Sequence, residues 1–307
     1  MYYILFPIIY LFSLLPFRVM FLLSDMTFPI VYHCARYRRK ITRKNLVDSF
    51  PEKSIDEIVD IEKKFYHWFC DYIFETLKLF SISEKEMRKR MVFEGIEQCN
   101  EVMRRNRSIT MFLGHYCNWE WVSSLALHLD KKFSAVQLYH PLENATFDRL
   151  ILYARGRFGN KSIYMKDGFR ILSAWQKEGH YTLTGFISDQ VPGFSSMHYW
   201  PMFLNHKTAT YTGGERIAKI LNTEVFYFDI YRPKRGYYVA KLIKITDKPQ
   251  EEEKHFITSR YYQLLEKSII QNPHLWLWSH NRWKRTWEDF VKTYPDENER
   301  KRILNKL

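Results

Sequence analysis

The chain from residue 108 onward alternates short apolar runs with amphipathic stretches, and this alternation limits the fold more than any other feature. Runs of strand length occur at SITMFL (108–113), FSAVQL (133–138) and YTLTGFI (181–187), and later at EVFYFDI and YYVAKLIKI. Amphipathic helices are predicted from about Asn118, at 144–156, at 211–221 and at about 252–270. Strands that alternate with helices are typical of an α/β layer architecture with a largely parallel sheet.

A long helix is predicted ahead of this region. Ser54 and Glu57 form the S-x-x-E pattern of a capping box, and apolar residues follow at near-helical spacing as far as about Phe80. We interpret the apolar stripe as a core face rather than a cofactor site.

The first 17 residues carry no charge, and the apolar character resumes after Arg18. A helix of that length spans roughly 25 Å, just under a hydrocarbon core of about 30 Å. Pro7, Pro16 and Arg18 interrupt it, so a tilted span and an interfacial insertion both stay open. We expect residues 1–24 to form a membrane-anchoring helix; the alternative is a buried core helix.

A basic cluster follows this segment. Residues 34–44 contain six basic and no acidic side chains. By the positive-inside tendency it would keep the rest of the chain on the cytoplasmic side, and it would attract anionic lipid head groups. The alternative is a solvated basic face.

Charge and cysteine content narrow the function classes. The net charge of +13 favours an anionic partner: nucleic acid, a phospholipid surface, an acidic carrier protein or a phosphorylated substrate. The four cysteines have neither C-x-x-C nor zinc-site spacing, which indicates a reducing compartment and no disulfide framework. The sequence lacks the Walker A, G-x-G-x-x-G, G-x-S-x-G and H-E-x-x-H patterns, which argues against nucleotide, dinucleotide, serine-hydrolase and zincin chemistry.

The segment GHYCNWEW (114–121) directly follows the predicted strand SITMFL. Ligands bind at the carboxyl ends of strands in an α/β sheet, so His115 has a position suited to chemistry. Glu120 would not share a helix face with His115, but the two can meet if His115 lies in the turn and Glu120 in the helix after it. A carboxylate on the imidazole would equip His115 to take a proton from a hydroxyl. A capping histidine with an exposed glutamate is the alternative.

This His-x4-Glu segment resembles that of the lipid A biosynthesis acyltransferases, a branch of the lysophospholipid acyltransferase superfamily. Further blocks resemble the same family in the same order: the NLVDSFPE stretch (45–52), an Arg-rich block (155–170), an Asp-Gln loop (185–193), a third block (200–218) and the Trp-x-His-x-Arg-Trp signature (274–285). The apolar amino terminus matches too, so the likeness covers nearly the whole chain. One departure is Cys117, where the family usually has a small residue such as Gly.

The resemblance implies a glycerol-phosphate-acyltransferase-like layered sheet with flanking helices. The anchor would precede one domain (25–307) with a helical part (25–105) and an α/β catalytic part (106–307). A fatty acyl chain would pass from a thioester of acyl-carrier protein, or of coenzyme A, to a hydroxyl of a lipid A precursor. His115 would be the general base and Glu120 its orienting partner, with no metal and no cofactor. The enzyme would act at the bacterial inner membrane, with its catalytic domain on the cytoplasmic side.

Basic residues of the later blocks are candidates for binding the anionic acceptor. Guanidinium groups match phosphate oxygens, and the candidates are Arg155, Arg157, Lys161 and Arg170. Asp189 would orient a basic side chain or the acceptor, and His206 and Lys207 precede a predicted helix whose amino terminus favours anions. His280 and Arg282 are either part of the site or packing and interfacial anchoring. The alternative for the Arg-rich block is an ordinary solvated face, and the alternative for Asp189 is a turn-forming aspartate.

Two further functions are considered. The same mechanism could act on an aminolipid, a lysophospholipid or another glycolipid, and nothing in the sequence excludes this. A nucleic-acid-binding protein would fit the charge and the many aromatic residues, but it leaves the apolar amino terminus unexplained. We therefore expect acyl-carrier protein, an anionic lipid acceptor and the membrane as partners, and no nucleic acid.

Overall fold

The computed structural model describes residues 1–305. Its helices are α1 (Tyr2–Ser13), α2 (Phe17–Pro29), α3 (Arg39–Ser49), α4 (Ile55–Lys78), α5 (Glu84–Arg90), α6 (Ile96–Arg104), α7 (Ala145–Gly156), α8 (Gly168–Lys177), α9 (Gly213–Leu221), α10 (Phe256–Gln271), α11 (Trp287–Thr293) and α12 (Glu297–Leu304). Its strands are β1 (Met91–Glu94), β2 (Ile109–Leu113), β3 (Ser134–Tyr139), β4 (Lys161–Tyr164), β5 (Thr182–Ile187), β6 (Met202–Phe203), β7 (His206–Lys207), β8 (Glu224–Lys234) and β9 (Tyr237–Thr246).

Seven strands form the central sheet in the order β1-β9-β8-β2-β5-β3-β4. Every neighbouring pair is parallel except β8 and β9, which form an antiparallel hairpin. Strand β2 is buried at every position because it lies between β8 and β5 in the sheet and because both faces of the sheet are covered. The prediction of an α/β fold with a largely parallel sheet is confirmed. The sheet takes its edge strand β1 from the part of the chain predicted to be helical.

The predicted long helix is α4, and its capping box is present. The Ser54 hydroxyl accepts from the backbone N–H of Glu57, whose carboxylate accepts from the backbone N–H of Ser54. Its buried face joins the main core, as the apolar stripe indicated.

The apolar amino terminus forms two helices rather than one. Helices α1 and α2 are bent by 109° at the break after Ser13. Lys78 Nζ donates to the carbonyls of Ser13 and Leu15, and the Ser81 hydroxyl also donates to Ser13, so the end of α4 satisfies the carbonyls left free at the break. Within residues 1–305, neither helix alone has the length and composition to cross a bilayer, while the bent pair together meets both criteria.

Half of the basic cluster binds other parts of the protein. Arg39 and Arg43 both donate to the buried carboxylate of Glu62 in α4, and Arg38 donates to the Ser279 carbonyl. Three of the six cations thus bind α3 and the turn before it to the domain.

Candidate functional site

The site lies where the central strands β2 and β5 end. They are parallel neighbours, and Leu113 pairs with Ile187. His115 and Asp189 each follow two residues later, so the register of the strands brings them to the same edge of the sheet. This edge is where α/β sheets bind ligands.

The turn that carries His115 is held by a later segment of the chain. The backbone N–H of Cys117 donates to the Leu275 carbonyl (2.8 Å), and that of Leu277 donates to the His115 carbonyl (3.1 Å). Cys117 has a φ of +53°, in the left-handed region that favours glycine. This conformation explains why Gly suits the position, and it identifies Cys117 as a strained replacement.

A buried glutamate supports the same turn. Asn118 donates to Glu75 Oε2 (2.7 Å) and accepts from the backbone N–H of Trp121 (3.1 Å). Glu75 also accepts from the Tyr238 hydroxyl (2.7 Å), and its burial raises the pKa of its carboxyl to about 7. The segment that follows, Trp121–His128, is a 3-10 helix rather than the predicted α-helix.

The carboxylate that contacts His115 belongs to Asp189. His115 Nδ1 lies 2.6 Å from Asp189 Oδ1, and the backbone N–H of His115 donates to Oδ2 (2.9 Å). Trp276 Nε1 also donates to Oδ2 (2.8 Å). Burial alone would raise the pKa of Asp189, but the interactions with His115 and the Trp276 indole outweigh it and lower that pKa to about 2. Asp189 is therefore an ionised hydrogen-bond acceptor at neutral pH.

The ionised partner fixes the tautomer of His115. A carboxylate can only accept, so the proton of the neutral imidazole lies on Nδ1 and the lone pair on Nε2. The His115 side chain is 18% exposed and that of Asp189 only 1%. The ring thus presents its basic nitrogen on the accessible side, where Gln190 Nε2 lies 3.2 Å away.

The prediction that Glu120 contacts His115 is wrong in this structure. Glu120 forms a two-pronged pair with Arg155, whose Nε and Nη2 donate to its oxygens at 2.7 and 2.6 Å. Burial opposes ionisation of Glu120, but Arg155 outweighs it and lowers the pKa of that carboxyl. The fork of a guanidinium fits two carboxylate oxygens better than one imidazole nitrogen does.

The remaining cations of the Arg-rich block are distributed elsewhere. Arg157 donates through Nη1 to the carbonyls of Leu79 and Ile82, which joins the end of α7 to the turn after α4. Arg170 is exposed and pairs with its neighbour Asp167. Lys161, also exposed, lies over the Trp175 ring. Arg155 lines the large pocket described below, whereas these three residues are not among those that line it.

The predicted residues of the later blocks lie away from His115 or are buried in packing. The His206 ring stacks on Trp283, and Lys207 Nζ lies 3.5 Å from the centre of the Trp287 ring. His280 is half-buried, which lowers the pKa of its imidazole to about 4. Arg282 is fully buried and donates to the Ala209 carbonyl and the Tyr262 hydroxyl. The packing alternative therefore describes His280 and Arg282.

A pocket of about 750 Å³ opens at the site. Its lining includes the polar side chains of His115, Gln190 and Arg155, and apolar residues of β2, β3 and β5 such as Met111, Ala135 and Leu183. Met111 precedes His115 by four residues, about 13 Å along an extended strand. The volume lies within the range of small-molecule sites, and a lining of both polar and apolar side chains suits a ligand with a polar head and a long apolar chain.

Sequence reasoning missed two residues that form side-chain hydrogen bonds to the central pair. Trp276 and Gln190 both lie in segments that the resemblance covers, but their side chains gave no chemical signal of their own. Gln190 follows Asp189 directly, and that adjacency was the one signal available. Within residues 1–305, no three His, Cys, Asp or Glu side chains are grouped as a metal site would require.

Comparisons with known proteins agree on one family. The profile of the family described as "Bacterial lipid A biosynthesis acyltransferase" matches residues 1–285. The chain is 22% identical over 280 residues to the lipid A biosynthesis palmitoleoyltransferase of Escherichia coli K12, covering 90% of this chain and 89% of that protein. It is 22% identical over 288 residues to the lipid A biosynthesis lauroyltransferase of the same strain, covering 90% and 92%. A lipid A biosynthesis acyltransferase of Haemophilus influenzae is 24% identical over 263 residues, covering 85% and 79%.

Proposed function

The chain belongs to the bacterial lipid A biosynthesis acyltransferase family and is an acyltransferase; from this premise we propose that it transfers a fatty acyl chain from an acyl-carrier-protein thioester to a hydroxyl of a lipid A precursor. The observation that carries the proposal is the orientation of His115. Its Nε2 lone pair faces the pocket while Asp189 holds the proton on Nδ1. A histidine with that tautomer, at the mouth of an apolar pocket, is suited to remove a proton from a bound hydroxyl.

The proposed reaction needs no covalent acyl-enzyme. The acceptor hydroxyl gives its proton to His115 Nε2 as its oxygen attacks the thioester carbonyl carbon. Asp189 stabilises the imidazolium that forms, and the intermediate collapses as the thiolate leaves and receives the proton from Nε2. Because a thioester is activated, orientation and proton transfer supply most of the rate enhancement.

The two ends of the pocket suit the two substrates. We expect the acyl chain to lie along the apolar walls beside Met111, Ala135 and Leu183, and the polar acceptor head to lie at the mouth. Arg155 lines that mouth and is the basic residue we propose to contact the acceptor. The net charge of +13 favours an acidic carrier protein as the donor.

We also propose that the outer faces of α1 and α2 contact the membrane. The inner face of α1 packs on the core through Leu5, Phe6 and Ile9. Apart from the exposed Arg18 and Asp25, the outer surface of residues 1–30 is largely apolar. Nine large apolar side chains there are more than half exposed: Met1, Tyr3, Ile4, Ile8, Leu11, Leu14, Leu22, Met26 and Ile30. A helix that is apolar on all sides and lies at a protein surface is suited to a lipid environment.

The transfer reaction is tested with purified protein, acyl-carrier-protein thioester and a panel of acceptors, with product masses read beside His115→Ala. We expect one acyl mass to be added to a phosphorylated lipid A precursor and to be lost in the variant. Transfer only to an aminolipid would keep the mechanism and change the acceptor. Most of the activity retained in His115→Ala, or transfer to no acceptor, would contradict the proposal.

The membrane contact is tested by sedimentation with vesicles that contain anionic phospholipid. Leu11→Arg places a charge in the proposed lipid-facing surface at a cost of up to about 3 kcal/mol, so the bound fraction should fall several-fold. Ile220→Arg is the matched control, because Ile220 is half exposed on α9. Equal binding of the two variants would contradict the proposed surface.

A further inference from the structure

The side-chain amide of Gln190 is hydrogen-bonded to His115 Nε2, the nitrogen that would accept the proton in the proposed reaction. Its Nε2 lies 3.2 Å from His115 Nε2, on the pocket side of the ring. Asp189 fixes the His115 proton on Nδ1, so Nε2 can only accept and the amide of Gln190 must donate to it. In this structure an N–H group therefore fills the place where an acceptor hydroxyl would donate.

An acceptor hydroxyl must displace this amide in order to react. The backbone next to Gln190 is held in place, because Asp189 accepts three hydrogen bonds and the Val191 N–H contacts His280 Nε2. The amide can therefore move only by rotation of its own side chain. A displaced amide on this backbone would stay within side-chain reach of His115.

We propose that the displaced amide of Gln190 donates to the carbonyl oxygen of the thioester and stabilises the oxyanion of the tetrahedral intermediate. This inference rests on the proposed acyl transfer and adds a catalytic residue to it. The acceptor oxygen forms a bond to the carbonyl carbon, and the C=O π electrons move to the oxygen that Gln190 contacts. When the C–S bond breaks, the carbonyl re-forms and the hydrogen bond weakens.

Other donors near His115 already have fixed partners. The Trp276 indole donates to Asp189, the Arg155 guanidinium binds Glu120, and the Tyr211 hydroxyl contacts the Val191 carbonyl at 3.5 Å. The amide of Gln190 instead donates to an atom that the reaction itself must free. A donor released by substrate binding, beside the general base, is available to an oxyanion that forms there.

The test compares Gln190→Ala and Gln190→Glu with the wild-type enzyme. Loss of one oxyanion donor lowers kcat by about 10²- to 10³-fold in other acyl transfers. We expect a fall of that size in both variants, with KM for the acceptor unchanged or lower because the competing donor is gone. Gln98→Ala, the same change on an exposed residue of α6, is the control.

Analogue binding separates catalysis from folding. A phosphonate that mimics the tetrahedral intermediate should bind Gln190→Ala more weakly by about the factor lost in kcat. A non-reactive thioether analogue of the donor should bind equally well, which also shows that the variant is folded. Equal phosphonate affinity, or a kcat equal to or above that of wild type, would overturn the inference.

The two proposals fail in different ways. If Gln190→Ala is fully active while His115→Ala is inactive, the role of Gln190 is wrong and the acyl transfer stands. If the wild-type enzyme transfers no acyl group, the proposed function fails first.

Discussion

Two charge pairs lie side by side at the carboxyl edge of the sheet, and they differ in what they leave accessible. In the His115–Asp189 pair, one nitrogen of the imidazole is bound and the other faces the pocket. In the Arg155–Glu120 pair, two guanidinium nitrogens bind both carboxylate oxygens. The first pair can exchange a proton with a ligand, whereas the second keeps its charges paired and fixes the position of Arg155 in the pocket lining.

The difference shows that two residues of one short motif, His115 and Glu120, need not contact each other. His115 and Glu120 are five residues apart, yet each has its closest charged partner far away in the chain. The partner of His115 is 74 residues away and that of Glu120 is 35 residues away. The first two predictions below each perturb one pair and leave the other intact, and the last two perturb residues outside both pairs.

The largest effect is expected for Asp189→Asn. An asparagine amide no longer fixes the proton on His115 Nδ1 and no longer stabilises the imidazolium. We expect kcat to fall on the order of 10³- to 10⁴-fold, as when the orienting aspartate of a catalytic triad is removed. Steady-state kinetics beside Asp167→Asn, a partly exposed aspartate, measure this effect; a loss under tenfold would show that Asp189 does not act through His115.

The next effect is on stability and concerns the second pair. Glu120→Gln leaves the Arg155 charge without its partner, which should lower the free energy of unfolding by about 3–5 kcal/mol. The double variant Glu120→Gln with Arg155→Met should recover most of that loss. Denaturant unfolding in detergent measures both, and a double variant as unstable as the single one would contradict a structural role for the pair.

A smaller, pH-dependent effect is expected from Glu75 beneath the turn. Burial raises the pKa of its carboxyl from 4.5 to about 7, so the folded state binds the proton more tightly than the unfolded state does. The stabilisation is complete below about pH 4.5 and is lost as the pH rises through 7, with a total of about 3 kcal/mol at most. Glu75→Gln should remove this dependence. Tm at pH 5 and pH 8 measures it, and an equal fall in both proteins would contradict the assignment.

The smallest effect is expected for Arg170→Ala. Its exposed pair with Asp167 contributes little, so the unfolding free energy should change by less than about 0.5 kcal/mol. Because Arg170 lies outside the pocket lining, KM for the acceptor should change less than twofold. A clearly raised KM would show that the acceptor reaches beyond the pocket mouth to α8.

The sequence predicted the central elements well because each carries its own local signal. The capping box defined α4, and the apolar runs gave β2, β3, β5, β8 and β9 close to their observed bounds. Short elements such as β1 and β4 were missed, since four residues with charged neighbours carry too little periodicity. The helix after Glu120 was predicted, but its 3-10 form was not. There, Ser123 and Ser124 donate to carbonyls three residues earlier, a contact that hydropathy does not reveal.

The site was predicted only in part, because only some of its features carry a local sequence signal. The position of His115 after a strand is a local property, and it was recognised. Its contact with Asp189 depends on which strand lies beside β2, and that neighbour is set by the topology of the sheet. The prediction that Glu120 fills this role assumed a local partner, whereas β5 supplies a carboxylate at the matching register.

The distance along the chain between the parts of this site also affects how it is made. During synthesis His115 leaves the ribosome first, Asp189 follows 74 residues later, and Trp276 follows after a further 87. The strand β8, which flanks β2 on its other side, is also made after β5. The general base therefore acquires its full set of partners only when most of the chain is available to fold. A nascent chain that has already exposed its apolar amino terminus would still lack a complete proton-transfer site.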